Sequence, residues 1–278
     1  MNKKQYSKVT NIAKDYYDSH DADEFYYRVW GGEDFHLGIY HNESESIFDA
    51  SRRTVKSMAG LVHLDKNTKV LDIGAGYGGA ARYLAKTHGC KVWCLNLSEK
   101  ENERNRQKNK EANLEHLIQV FEGCFEDLPF EDGFFDVIWS EDAILHSGEK
   151  PTVIKEVSRV LRQGGEFVFN DPMQADDCPE GVLQPVLDRI NLDSMGSMKL
   201  YRELAKQNRL EEILWVDLAK HLPRHYARVR TEVETRYDEI TNTISKEYVD
   251  NMLTGLTNWI NAGNKGYLNW AILYFIRN

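Results

Sequence analysis

The sequence predicts an α/β fold, a mostly parallel sheet with helices on both faces. Three observations predict it. Strand and helix signals alternate from about residue 68 to 170. The apolar run Lys69-Val70-Leu71-Asp72-Ile73 ends in a glycine-rich turn, Gly74-Ala75-Gly76-Tyr77-Gly78-Gly79. A helical pattern then follows at once, with Ala80, Ala81, Tyr83, Leu84 and Ala85. Gly74 and Gly76 are free to adopt positive φ and to let a ligand lie against the backbone, while the following helix points its free N–H groups at that ligand. In α/β proteins this turn forms a nucleoside pocket at the carboxyl end of the first strand.

The strands are expected at about 68–73, 91–95, 117–122, 134–139 and 165–171, with helices at about 78–88, 98–112 and 151–161. The helix from Glu99 to Ala112 is almost wholly polar and reads as a solvated outer helix. Ser98, with Glu101 three residues on, reads as its capping box. Leu161-Arg162-Gln163-Gly164-Gly165 stops the third helix and starts the fifth strand. Residues 1–60 read as helical and rich in rings (Tyr16, Tyr17, Phe25, Tyr26, Tyr27, Trp30, Tyr40), a lid over the pocket. Further helices are expected at about 172–209 and 218–264, and two late strands at about 210–218 and 266–276, the last rich in strand-forming side chains.

The chain has 278 residues, enough for one α/β domain with a lid and insertions. No apolar run is long enough to cross a bilayer, and the opening residues Met1-Asn2-Lys3-Lys4-Gln5-Tyr6 lack the apolar stretch of a signal peptide, so a cytoplasmic protein is expected. A formal charge of -9 argues against nucleic-acid and anionic-membrane partners. Cys90, Cys94, Cys124 and Cys178 form no Cys-x-x-Cys pair. Cys90 and Cys94 on one strand would stand roughly 13 Å apart, too far to bridge, so reduced thiols are expected. His221 and His225 have Pro223 between them and no completing Glu, and no metal site is expected.

Asp72, two residues before the first glycine, tilts the turn away from dinucleotide binding. Asp72-x-Gly74-x-Gly76 resembles the first motif of class I S-adenosylmethionine-dependent methyltransferases. That resemblance implies a Rossmann-like seven-stranded sheet whose last strand inserts antiparallel between the fifth and sixth. It makes Asp72, Gly74, Ala75 and Gly76 the holders of the methionine end of S-adenosylmethionine. Asn96 and Leu97, at the tip of the second strand, would meet the ribose. An amide there can donate and accept but supplies no charge. Cys124 and Phe125, after the third strand, would meet adenine, and Ser140, at the end of the fourth, would pass under the methionine portion.

Three stretches resemble sarcosine/dimethylglycine N-methyltransferases: Phe25 through Tyr40, Trp139 through Ser147, and Asn170-Asp171-Pro172-Met173-Gln174-Ala175-Asp176-Asp177. A weaker likeness extends to phosphoethanolamine N-methyltransferases. The resemblance implies methylation of sarcosine or N,N-dimethylglycine towards glycine betaine. The acceptor amine would lose its proton to bulk water or to His146, which with Tyr26 is expected to be catalytic. Arg189 and Arg202 are candidates for the acceptor carboxylate, and Trp30 and Tyr201, beside Tyr26, for aromatic faces against its methylammonium group. A small amino-acid amine is the expected partner, and the protein is expected to be a monomer or homodimer. Two other readings stay open on sequence alone: an NAD-type oxidoreductase, and a non-catalytic binding protein on the same fold.

Overall fold

A computed structural model describes residues 6–278, so the first five residues of the expected lid and leader-free start lie outside the described residues. Three helices open it: α1 (Lys8–Tyr17), α2 (His20–Val29) and α3 (Ile47–Ala59). Each begins at a serine whose hydroxyl accepts a backbone N–H of the first turn, Ser7, Ser19 and Ser46. There follow β1 (Lys69–Ile73), α4 (Gly79–His88), β2 (Lys91–Asn96), α5 (Glu99–Glu111), β3 (Ile118–Glu122), β4 (Phe135–Glu141), α6 (Lys150–Val160) and β5 (Leu161–Gln174). The rest comprises α7 (Gln184–Ile190), α8 (Met198–Gln207), β6 (Leu210–Asp217), α9 (His221–Thr235), α10 (Tyr237–Ile240), α11 (Lys246–Asn264) and β7 (Leu268–Arg277).

The seven strands lie in the order β3-β2-β1-β4-β5-β7-β6. β1 to β5 are parallel, and β7 is antiparallel to both β5 and β6, between which it sits. This is the expected α/β, Rossmann-like seven-stranded order. Strands buried on both faces are apolar at nearly every position, as in β4, where Phe135, Val137, Ile138 and Trp139 are all fully buried. One core layer packs α2, α3, α4, α9 and α11 on the sheet, and the other packs α6 and α8 on its opposite face. Chain order reverses between β1 and β4, which opens a crevice at the carboxyl ends of the strands.

Two elements depart from expectation. β5 starts at Leu161, before its glycine pair, because the register shifts between Phe135 and Val137 and lets Leu161 pair with β4. α5 is not a solvated outer helix on all sides, since Glu101, Asn102, Asn105 and Asn109 are buried. Its buried face is polar because it meets a cation. Arg82 on α4 donates to Asn109 Oδ1 at 3.0 Å, and Asn109 donates to Asn105 Oδ1 at 2.8 Å. Arg104 forks onto Asp23 of α2 with two 2.7 Å bonds.

Among the described residues no helix is long and apolar enough to cross a membrane. Cys90 and Cys94 are fully buried, Cys124 and Cys178 are partly exposed, and no disulfide joins any of the four. His221 and His225 hold backbone: their Nδ1 atoms accept from Tyr40 N at 3.1 Å and Gly38 N at 3.0 Å, pinning the segment that follows α2.

The inserted β7 carries core packing. Phe275 is 1 % exposed and lies 6.1 and 6.2 Å, centroid to centroid, from the stacked rings of Phe167 and Phe169. Phe275→Ala is expected to cost about 3–5 kcal/mol in chemical denaturation, and a loss below about 1 kcal/mol would show that β7 is not part of the sheet core.

Candidate active site

The crevice is a cavity of about 1280 Å³, mouth included. Its wall follows the strand order: Gly123 to Glu126 after β3, Asn96 to Ser98 from the tip of β2, Asp72, Gly74 and Ala75 at β1, and Glu141 to Ala143, Leu145 and His146 from the tip of β4. α1 and α2 cover it with Lys14, Tyr17, Tyr26 and Trp30, and Arg189 of α7 and Tyr226 of α9 close its far end.

Gly74 takes φ 80°, and a Cβ there would lie 2.3 Å from Ala143 Cβ and 3.3 Å from the Phe125 ring. Only glycine fits that position. Gly76, at φ 49°, is outside the lining because Phe35 covers it: a Cβ would fall 2.4 Å from Phe35 Cε1. Its bareness therefore serves the docking of the segment after α2.

At the tip of β2, Asn96 Nδ2 donates to Glu101 Oε2 at 2.7 Å. Ser98 caps α5, accepting Glu101 N at 3.2 Å, but the Glu101 carboxylate turns to Asn96 and lines the cavity. Burial pushes its pKa up to about 8. The strand tip thus presents an amide joined to an acid from the next helix.

At β1 and β4, Asp72 pairs in register with Trp139, and Trp139 Nε1 donates to Glu141 Oε2 at 3.1 Å. Parallel neighbours share a face, and so do residues two apart on one strand, so Asp72 and Glu141 rise on the same side of the sheet. Asp72 Oδ2, Glu141 Oε1 and His36 Nε2 have no hydrogen-bond partner among the described residues. Burial, reinforced by the neighbouring carboxylates, holds Asp72 and Glu141 well above the ordinary range. Asp142, with φ 49°, accepts Leu37 N at 2.6 Å and Trp270 Nε1 at 2.9 Å, tying β4, β7 and the segment after α2 together.

His146 ends a 3₁₀ turn, Ile144–His146. Lys150 Nζ donates to Leu145 O at 3.1 Å and to Ser147 O at 2.8 Å, and Asp171 Oδ1 accepts Leu145 N at 3.0 Å, so the turn is held from both sides. Burial, then Lys150 and Arg189, lower the pKa of His146 to about 4, which leaves its ring neutral at pH 7. Its Nε2 meets Tyr17 Oη at 2.9 Å. Tyr26 Oη contacts Tyr16 Oη at 3.3 Å, and Tyr16 Oη contacts Tyr248 Oη at 2.9 Å. Arg189 lines this ring-walled end. Among the described residues no carboxylate pairs with it, and its Nη2 donates to Met252 Sδ at 2.7 Å.

Of the residues singled out from sequence, Asp72, Gly74, Ala75, Asn96, Leu97, Cys124, Phe125, Tyr26, Trp30, His146 and Arg189 line one cavity. Gly76, Ser140, Tyr201 and Arg202 do not. Ser140 Oγ donates to Ile73 O at 2.9 Å and ties β4 to β1. Tyr201 is 1 % exposed, on the buried face of α8, and donates to Asp171 Oδ2 at 2.5 Å. Arg202 is a half-buried residue forked onto Glu212 at 2.6 and 3.0 Å, with its guanidinium 5.4 Å from the Trp215 ring centre. Sequence reasoning passed over His36, Glu141 and Tyr226, and read Tyr17 only as a lid ring and Glu101 only as part of a helix cap. His36 and Glu141 stood inside stretches that carried the family resemblance, which was their available signal.

Three comparisons bear on this arrangement. Residues 71–169 match the family described as a methyltransferase domain. The chain is 56 % identical to a sarcosine/dimethylglycine N-methyltransferase of Halorhodospira halochloris over 95 % of both chains. It is 54 % identical to one of Aphanothece halophytica, over 96 % of this chain and 97 % of that one. A crystal structure of a candidate sarcosine dimethylglycine methyltransferase from Galdieria sulphuraria superposes with a TM-score of 0.90 at 41 % identity, covering 95 % of this chain and 99 % of that one. With its seven-stranded order and its glycine-turn cavity, the chain belongs to the sarcosine/dimethylglycine N-methyltransferase family.

Proposed function

We propose that this chain transfers methyl groups from S-adenosylmethionine to the nitrogen of sarcosine and N,N-dimethylglycine, ending at glycine betaine. The observation that carries this reading is Arg189, a permanent cation with no carboxylate partner among the described residues, in an aromatic-walled cavity. Lys14 is the other permanent cation in the described cavity wall, and it is bonded to Leu97 O at 2.8 Å and Glu122 at 2.9 Å. One uncommitted guanidinium suits a monoanionic amino acid better than a phosphate ester.

The donor supplies an electrophilic methyl on a sulfonium. The residues fit it: Gly74, kept bare because a Cβ would lie 2.3 Å from Ala143 Cβ, holds the turn's backbone in the cavity wall, and Asp72 Oδ2 is unpartnered among the described residues two positions before it. Asp72, Gly74 and Ala75 would hold the methionine end, Asn96, Leu97 and Glu101 the ribose, and Cys124 and Phe125 the adenine. We read α1 and α2, within residues 1–60, as a lid on the domain formed by 61–278. Tyr17, Tyr26 and Trp30 exclude water, and Tyr26 and Trp30 offer ring faces to the methylated nitrogen. Arg189 fixes the carboxylate and so orients the amine, which is where positioning contributes to rate. His146, being neutral, adds no positive charge near the developing ammonium. It orients Tyr17 and the amine, and the amine sheds its proton to solvent before the transfer.

Side-by-side assays of glycine, sarcosine, dimethylglycine and phosphoethanolamine should give turnover of sarcosine or dimethylglycine, and turnover of phosphoethanolamine alone would overturn the acceptor assignment. Gly255 of α11 supports the guanidinium: a Cβ there would lie 2.2 Å from Arg189 Cδ. Gly255→Ala is therefore expected to displace Arg189 and raise the KM for dimethylglycine about tenfold or more, the worth of a charge-assisted bond, with S-adenosylhomocysteine affinity unchanged. At saturating donor, kcat/KM should climb with pH as the free amine fraction grows. It should show no imidazole inflection near about pH 6–7; an inflection there that His146→Asn removes would contradict a neutral His146.

A further inference from the structure

His36 Nδ1 lies 3.1 Å from Leu37 O, and a carbonyl only accepts, so Nδ1 carries a proton. In the neutral ring Nε2 then presents a lone pair. It faces Glu141 Oε1 at 3.5 Å, and neither atom has a hydrogen-bond partner among the described residues. Two acceptors cannot stably face each other in a buried site without a proton or a cation between them. Asp72 Oδ2, also unpartnered, rises on the same face of the sheet one strand away. His36 is 8 % exposed and Asp72 3 % exposed, and all three residues line the cavity.

We infer that Glu141, His36 and Asp72 form a proton-holding socket for the α-ammonium of the donor's amino-acid end, and that the held proton leaves to solvent when the ammonium docks. The inference rests on the donor assignment made above. No bond other than N–H and O–H contacts changes: the ammonium keeps its protons, and the socket releases its own to buffer.

The surroundings favour a held proton in the free protein. Asp34 and Asp142 add negative charge beside Glu141, and Asp34 also beside Asp72. Glu33 stands next to Asp34. The cations nearby are already engaged: Arg52 pairs with Asp34 at 2.7 Å and Glu33 at 2.8 Å, and Arg82 with Glu33 at 2.6 Å. Burial and mutual repulsion raise both Asp72 and Glu141. A group that binds a proton in the free protein and loses it in the complex makes affinity rise with pH. The limit is about tenfold per pH unit for each proton released.

Calorimetric titration of the full chain with S-adenosylhomocysteine, in buffers of different ionisation enthalpy, measures that proton directly. Release approaching one proton per ligand at acidic pH is expected, with Kd falling as pH rises. Methylthioadenosine, which lacks the amino-acid end, and sarcosine alone should release none. Glu141→Gln should bind S-adenosylhomocysteine with release reduced or abolished. Binding of S-adenosylhomocysteine with heat independent of buffer would overturn the socket while leaving the function reading intact. Release on adding sarcosine alone would assign the socket to the acceptor and overturn it here. No binding of S-adenosylhomocysteine at all would overturn the donor assignment itself.

Discussion

Buried charge without a counter-charge is the constraint on which this molecule turns. An interior guanidinium or carboxylate normally finds a partner, because leaving one unpaired costs several kcal/mol. Here Arg189 faces the cavity with a thioether for company, while Asp72 and Glu141 keep oxygens unpartnered among the described residues. The positive defect is on α7, among the rings of α1, α2 and α9, and the negative defect is at the tips of β1 and β4. A zwitterionic donor and an anionic acceptor amine would each repair one of them. Stability not spent on pairing these groups is available to binding.

The first helices belong to the cavity as much as to the surface. Phe35 covers Gly76, and Arg82 of α4 and Arg52 of α3 both bind Glu33. Arg104 reaches back to Asp23, Lys14 to Leu97 O, and Leu37 N to Asp142. These bonds place Tyr17, Tyr26, Trp30 and His36 over the strand tips. Part of the bareness of the glycine turn has the same origin: a Cβ at Gly76 would meet Phe35 and one at Gly79 would meet Glu33 and Asp34 of this segment, while those at Gly74 and Gly78 would meet Ala143 and Asn105.

The sheet was legible because its strands are runs buried on both faces, and β7 was legible because Tyr267 to Phe275 combines aromatic and β-branched residues in the last position of the chain. α5 was not. Its inward face is Asn102, Asn105 and Asn109, and a polar face carries no hydrophobic period even when it is buried. The strand-tip wall of the cavity followed from motif positions, since a strand tip fixes where its next residues point. The helical wall did not follow in the same way. Arg189 and Arg202 are both arginines on helices after β5, and only packing shows that α7 turns one inward while Glu212 and Trp215 hold the other at the surface. Glu101 and Glu141 were hidden for a similar reason: a helix cap and a strand end look complete in sequence, and their carboxylates are redirected by Asn96 and Trp139.

A crystal structure of the protein with S-adenosylhomocysteine and dimethylglycine tests the central claim most directly. The account predicts the acceptor carboxylate on the Arg189 guanidinium at about 3 Å, with the ammonium of the spent donor beside Asp72 and Glu141. An acceptor carboxylate bound elsewhere, with Arg189 still turned to Met252, would contradict it.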